Sequence, residues 1–542
     1  MPRTTFDRIS RDSSIMAIGT ALSRITGLAR IFALAYALGI TSLADAYNLA
    51  NVTPLIVHDL VIGGVLSATF VPVFVEQFTK HNQKIASEAI SSVVTLTVVI
   101  LLIATGLFAL AAPLFIDLYT LANHLPSAPT ERQVAISLLV LFTPQLTFYG
   151  LMSILTALLN ARKRFAAPMY APIVTNLLTI GILLFYAKLA RHSSLIYLQK
   201  NYGYILLLGI GSTLAVGAQI LVTLPSLRGL NLNLHWHWQP RNPAVLTIIR
   251  LSGWTFGFVI ANQLALFITL ALADSLGAGT VASYNYAYTF FQLPFGIIAI
   301  SIMTAMTPRL AEYWTKGNNR LFGHSTTLGL LSVLALAIPA MVGYLILAHP
   351  IVELILAHGA TKSAQVDSTS AALKMLALGI PGFCAYLYLI RVYQSMQDTR
   401  TAFYIYLFEN AMNILFLFLL YGPLGIKGIA LSISIAYTLG TIVALLHLHY
   451  RIGNLYLLQA IKPLSHVIIS SIIMGFIVAL ITSLITAQHG ILLLLRVGLA
   501  ILAGLASFAL TALIAANVPY MLRHVVALYK STNTHRALHR KP

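Results

Sequence analysis

Arg24 and Arg30 stand inside an otherwise apolar run, in the stretch LSRITGLAR. On a helix this spacing gives about 9 Å of rise and roughly 120° of rotation, with Gly27 between the two. A guanidinium keeps its charge at every accessible pH, and its planar fork matches two oxygens of a phosphate group. Holding one at the centre of a bilayer costs about 2.5–3.5 kcal/mol on insertion scales. Two readings follow. The side chains reach back to headgroups at the membrane edge, or they form the cationic wall of a water-filled cleft that receives an anion.

A second polar stripe comes next. Asp45, Asn48, Asn51 and His58 fall within an arc of roughly 140° on one helical face. Such a face is costly against lipid and natural against a cavity. Asp45 has the right chemistry to pair with an arginine of the first span, either to position it or as a plain structural ion pair. His58, followed by Asp59, is a candidate proton site or a satisfied core histidine. In the second half Glu409, Asn410 and Asn413 share one span, and Asn262 and Gln263 another. A carboxylate beside amide oxygens suits Na+ or a proton; Glu409 solvated at a membrane boundary is the alternative. His235-Trp-His237 and His447-Leu-His449 have two-apart spacing with no further ligand nearby, so no metal site is read.

A membrane bundle must position these residues. The 542 residues are 58% hydrophobic and 9% charged, against about 25% charged in a soluble domain. Apolar runs fall at 14–38, 45–77, 88–116, 134–159, 168–190, 203–224, 246–273, 281–310, 325–348, 368–393, 401–421, 425–449, 464–486 and 490–518, which predicts fourteen transmembrane helices. Pro54 and Gly63-Gly64 predict that the second run is bent or broken. The balance of 33 Lys+Arg against 14 Asp+Glu has no polar domain to carry it, which argues against nucleic acid. Instead 22 of the 33 basic residues lie in the N-terminal arm, the even-to-odd loops and the tail. That bias predicts cytoplasmic termini, with Lys188, Arg191 and Lys200 as the contrary cluster. Cys384 is the single cysteine, so no intrachain disulfide forms. No small-residue cleavage site follows Arg3, Arg8 and Arg11, so no signal peptide is read.

An internal repeat is visible. ADAYNLA (44–50) and FVPVFVE (70–76) match ASYNYA (282–287) and MTPRLAE (306–312), and RFAAPMYAPIVTN (164–176) matches DTRTAFYIYLFEN (398–410), offset by 234 to 238 residues. Six helices fit in that period, so the copies share one membrane orientation. The predicted organisation is an N-lobe 1–224, a cytoplasmic linker 225–245, a C-lobe 246–449, two extra helices in 450–518 and a basic tail 519–542. No loop can house a catalytic domain, and no Walker loop, nucleophile elbow or HExxH occurs. Asp117, Glu131, Glu353 and Asp367 are scattered along the chain, which argues against a glycosyltransferase or ligase site on the outer face.

At SRITGLAR, LADAYNLAN, GGVLSATFVPVF, LLNARKRFAAPMYAPIVTN, QDTRTAF and YGPLGIKGIALSISIAY the chain closely resembles the MurJ/MviN family. These are the lipid II flippases of the multidrug/oligosaccharidyl-lipid/polysaccharide exporter superfamily. The resemblance implies an all-α integral membrane fold of two six-helix lobes in parallel pseudo-repeat, with the two C-terminal helices forming a groove for the polyprenyl tail. It implies no enzyme, but alternating-access export of undecaprenyl-pyrophosphoryl disaccharide-pentapeptide from the inner to the outer leaflet for cell-wall synthesis. Its two first-span arginines carry over onto Arg24 and Arg30, and its second-span acid onto Asp45. The chain departs where many members have an Arg pair (here His58-Asp59), a Glu (Gly63), and Asp-Arg followed by Glu (Tyr288, Thr289, Gln292).

The expectation is therefore a flippase of the bacterial cytoplasmic membrane with Arg24, Arg30, Asp45, Asn48, Asn51 and His58 toward substrate. Glu409, Asn410, Asn413 and Asn262 are candidates for a coupling ion, Na+ or H+. No cofactor is expected, and the membrane potential is a candidate drive. Membrane lipids and cell-wall synthesis or division proteins are candidate partners. The rivals are a flippase for another polyprenyl-linked glycan, a cation-coupled drug exporter, which would favour buried acids over arginines, and a scaffold whose transport has lapsed.

Overall fold

The computed structural model describes residues 3–63, 70–80, 82–190, 194–228, 232–361, 363–453, 455–485 and 490–515. Gly64, Arg191, Lys362 and the tail 519–542 lie outside the described residues, as do the expectations placed on them. Among the described residues the chain is helical, without a strand. The N-terminal helices are α1 (Arg3–Leu38), α2 (Ser42–His58), α3 (Val71–Lys80), α4 (Gln83–Thr120), α5 (Ala128–Phe142), α6 (Pro144–Ala161), α7 (Ala166–Leu189), α8 (Leu195–Lys200) and α9 (Tyr202–Thr223). Then come α10 (Pro243–Ser275), α11 (Thr280–Pro294), α12 (Ile300–Thr315), α13 (Asn319–Leu356), α14 (Ser363–Leu378), α15 (Ile380–Ser395), α16 (Thr399–Leu424), α17 (Ile426–Ile452), α18 (Leu457–Leu484) and α19 (Gly490–Ala515).

Local chemistry sets the helix starts. Thr41, Asn82, Ser194 and Asn242 each accept a first-turn amide, satisfying donors that have no partner within their own helix. Pro243 sits in the first turn of α10, where its missing N–H costs nothing. Among the described residues ten helices are long and apolar enough to cross a membrane, or up to eleven spans if α14 and α15, bent by 49°, count as one. The expected fourteen is thus not reached by this criterion. The second run breaks at a π-helical turn, Asp59–Gly63, as the sequence predicts, and the eighth breaks at another, Phe295–Ala299. On the seventh, Val259–Ser275 is an apolar helix shorter than that criterion asks.

The repeat is present in the helix geometry. The two π-turns begin 236 residues apart, at Asp59 and Phe295. The 38-residue helices α4 and α13 begin at Gln83 and Asn319, the same interval. Thr143, which joins α5 to α6, and Gly379, which joins α14 to α15, are again 236 apart.

Packing divides the chain into two compact units elsewhere than between the sequence-based lobes. The first comprises Met1–Leu293, Ile355–Ala372 and Phe403–Ala436; the second comprises Pro294–Leu354, Leu373–Ala402 and Tyr437–Pro542. In the first unit α1 packs on α7, α7 on α9, α2 on α5 and α6, and α4 on α10. Between α9 and α10 the linker crosses α4 as an extended strap. Ser87 Oγ donates to the Asn233 carbonyl at 2.8 Å, and the His235 and His237 amides donate to Ser91 and Thr95 hydroxyls at 3.3 and 3.0 Å. Those hydroxyls are four residues apart, hence on one helical face, while Trp236 of the strap is 66% exposed.

In the second unit Leu347 of α13 closes a cluster with Met474 and Val478 of α18 and Ala500 of α19. A Cβ on Gly475 would meet Val342 at 2.7 Å, and one on Gly504 would meet Val478 at 2.8 Å. Small residues at such contacts let helices approach closely where lipid offers no hydrophobic driving force. Outward, Phe476 is 71% exposed, as Leu110 of α4 in the first unit is 81%, surfaces suited to acyl chains and not to water.

Candidate functional site

The first unit holds several polar centres, and α2 contributes to two of them. Around its C-terminal end, His58 bridges two partners. Its Nδ1 lies 3.0 Å from Asp59 Oδ1, and its Nε2 lies 3.3 Å from Ser153 Oγ of α6. Gln263 of α10 donates to the other Asp59 oxygen at 2.8 Å. The His58 ring packs 6.0 Å from that of Tyr149, whose hydroxyl donates to Gln145 at 3.5 Å. Nearby, the Tyr47 and Ser212 hydroxyls are 2.9 Å apart.

Arg30 lies within electrostatic reach of the Tyr47 and Tyr149 hydroxyls. Arg24 and Arg30 are both half-buried, and neither has an ion pair or hydrogen bond among the described residues. Their helix is held by Asn176 of α7, whose amide donates to the Ser23 carbonyl at 3.3 Å and the Thr26 hydroxyl at 3.1 Å. A partly buried cation without an internal counter-ion is poised for an external one. Asn176 was not picked out from the sequence, where it reads as one more polar residue in an apolar run.

At the other end of α2, Asp45 pairs with no arginine among the described residues, which corrects the expectation. It is 1% exposed and accepts from the amides of Gly279 and Ala282, the latter at 2.7 Å, with Thr280 also contributing. These are the first-turn donors of α11, which a carboxylate satisfies with favourable helix-dipole geometry. The backbone closes tightly there. Gly279 has φ +82°, and a side chain would strike the Ile40 carbonyl; Gly359, φ +65°, is pressed likewise on the Tyr36 carbonyl.

The polar stripe of α2 is therefore shared out between its ends. Asn48 donates to the Ala44 carbonyl at 2.7 Å and faces Tyr286, so it does not join the arginines. Asn51 is half-buried.

Of the acids read as scattered, Glu131 has beside it a buried acid that was not among them. Glu131 of α5 and Asp274 of α10 are each 1% exposed and lie within hydrogen-bond reach of one another. Asn123 donates to Asp274 at 2.9 Å.

In the later part of the first unit, Glu409, Asn410 and Asn413 are buried. Asn410 donates to Glu409 at 3.0 Å, and Ser432 of α17 donates to Asn413 at 3.1 Å. Asn262 is half-buried and makes no hydrogen bond to them among the described residues; its neighbour Gln263 faces Asp59 instead. On the eighth span, α11 presents an aromatic row. Tyr288 lies 5.8 Å from Tyr284 and 5.6 Å from Phe291, centroid to centroid.

The profile of the family described as Lipid II flippase MurJ matches residues 34–500. A probable lipid II flippase MurJ of Rickettsia prowazekii is 26% identical over 79% of this chain and 82% of its own. One of Thermotoga maritima is 23% identical over 89% and 93%. A solved lipid II flippase MurJ in an inward closed conformation shares the fold with a TM-score of 0.74 at 23% identity, covering 94% of this chain and 99% of that one. An inward-facing multidrug resistance MATE transporter follows at a TM-score of 0.64, 14% identity, 81% and 98%. With the profile running from the end of the first span into the last helix, the chain belongs to the lipid II flippase MurJ family.

Proposed function

We propose that the chain carries lipid II from the inner to the outer leaflet of the bacterial cytoplasmic membrane for peptidoglycan synthesis, by alternating access and without catalysis. The observation that carries this reading is the pair Arg24 and Arg30, half-buried on a membrane-spanning helix with no counter-ion among the described residues. A pyrophosphate supplies the missing negative charge through charge-assisted, bidentate contacts. Asn176 and the Tyr47 and Tyr149 hydroxyls flank the arginines and orient the head group. With Tyr288, Thr289 and Gln292 in place of charges, the cleft grips pyrophosphate from the first-span side, and the aromatic row of α11 offers a stacking face for sugar rings.

In this reading fourteen helices span the membrane and both termini are cytoplasmic. The broken second and eighth runs count as spans because π-turns keep their backbone paired. The end of α1 and the starts of α2, α5 and α11 then face outside, and Asp45 holds that end shut. Exporting one negative charge is favoured by about 2.3 kcal/mol per 100 mV of inside-negative potential, which drives export in part. Glu409, Asn410, Asn413 and Ser432 form the candidate site for a coupling Na+ or H+. Cell-wall synthesis or division proteins are the proposed partners.

The test is depletion in the native cell with rescue by wild type, Arg24→Ala or Arg30→Ala, scoring lipid II in the outer leaflet. Rescue by wild type and not by well-inserted arginine variants supports the reading. Full rescue by both variants removes the arginines from the mechanism, and unchanged export on depletion removes the substrate.

A further inference from the structure

Glu131 has no role in binding the head group, yet it is the most poorly satisfied acid among the described residues. Neither of its carboxyl oxygens has a hydrogen-bond partner of proper geometry there, and Asp274 Oδ1 has none either. The side chains facing Glu131 are Asp274 of α10, Asp45 of α2 and Ser42. On the elements packed against α5, the other charged or titratable groups at this end are turned elsewhere. Asp117 of α4 pairs with Arg132 on the exposed side, Tyr119 of α4 meets Thr53, Tyr204 of α9 meets the Leu189 carbonyl, and Lys200 of α8 is exposed. Of the cations described, none acts on Glu131.

Three carboxyl groups thus converge in one buried cluster. Asp45 is satisfied by the amides of α11. The remaining two cannot both be ionised without partners, because like charges at contact distance in a low-dielectric site are strongly disfavoured. Two carboxyl oxygens within hydrogen-bond reach are reconciled by a proton between them, as in other paired acids.

We propose that Glu131 and Asp274 form a proton-binding site that is loaded when α2 and α5 close against α10 and α11, and emptied when they part. The proton passes from water to the pair on closure and returns to water on opening; no bond other than O–H is made or broken. Asn123 orients Asp274 for the shared proton, and the emptied pair repels because its two carboxylates face one another. The cycling between closed and open rests on the transport reading; the site itself rests on the buried pair.

The experiment is distance measurement by electron spin resonance on full-length protein in lipid nanodiscs. Nitroxides on Leu121→Cys and Ala278→Cys, in a Cys384→Ala background, report this end. Releasing one proton on opening shifts the closed-to-open ratio by about tenfold per pH unit across the titration, so the wild type should lengthen as pH rises. Glu131→Gln and Asp274→Asn, which mimic the protonated acid, should hold the short distance at all pH. The infrared carbonyl stretch of buried protonated carboxyls should be weaker in either variant than in wild type.

A wild-type distance that ignores pH, or a Glu131→Gln protein that titrates as wild type, overturns the proposal. So does a response to Na+ in place of pH. A pH response together with unchanged lipid II on depletion keeps the proton site and rejects the substrate; export without a pH response does the reverse.

Discussion

Arg30 is where the chemistry of a single side chain matters most. Its charge is fixed, its surroundings are hydroxyls, and no acid answers it among the described residues. Replacing it with lysine keeps the charge and loses the fork. Arg30→Lys should therefore weaken binding of undecaprenyl pyrophosphate by roughly ten- to a hundredfold, the worth of about 1.5–3 kcal/mol for one hydrogen bond to a charged group. Native mass spectrometry of the purified protein reads this directly, and undiminished binding would show that charge alone suffices. The residue types at the arginines could be read from the sequence because a guanidinium within an apolar run has few bland explanations. The partners of Asp45 could not, since Gly279 and Ala282 are 234 and 237 residues away and contribute backbone amides, which carry no residue signature. For the same reason Glu131 looked like a lone acid in a loop region, because what makes it unusual is Asp274 in a helix more than a hundred residues on.

Among the elements, the turn between α10 and α11 is the most constrained. Gly279 sits at φ +82° with its α-carbon against the Ile40 carbonyl, and a left-handed conformation costs a residue with a Cβ about 1–2 kcal/mol. Gly279→Ala should shift this end away from its closed arrangement by roughly five- to thirtyfold, read as faster alkylation of a cysteine placed at Ala278. An unchanged rate would mean that the turn yields without cost. Helix positions were legible from apolar runs alone, and Gly63 with Pro54 marked the broken second span. The π-turn at Phe295–Ala299 carried no such flag, because π-turns lack a strong residue preference and Pro294 reads as an ordinary kink. The strap from Asn233 to His237 was read only as a linker; its anchors, Ser87, Ser91 and Thr95, look like neutral small residues until the helical spacing is matched to a chain lying across them.

At the scale of the whole molecule, export of an anionic head group through a polarised membrane makes voltage a term in the free energy. Collapsing the potential in cells at constant pH should leave lipid II in the inner leaflet, and undiminished export would assign the drive elsewhere. The internal duplication was the largest feature legible in the sequence, and the paired π-turns and paired 38-residue helices carry it into the structure. It also gives the Asp45 contact a second meaning. The repeat sets Tyr47-Asn48 against Tyr284-Asn285, so residue 45 corresponds to residue 282, and Asp45 binds the amide of its own counterpart. A residue that touches its counterpart lies on the axis relating the copies. Two identical halves would bring two acids face to face on that axis, and here the counterpart of Asp45 is an alanine. Restoring the symmetry with Ala282→Asp should set carboxylate against carboxylate and spring this end open, measured by alkylation at Ala278→Cys. Adding Asp45→Ala to the same chain should close it again, with the acid now handed to the opposite copy.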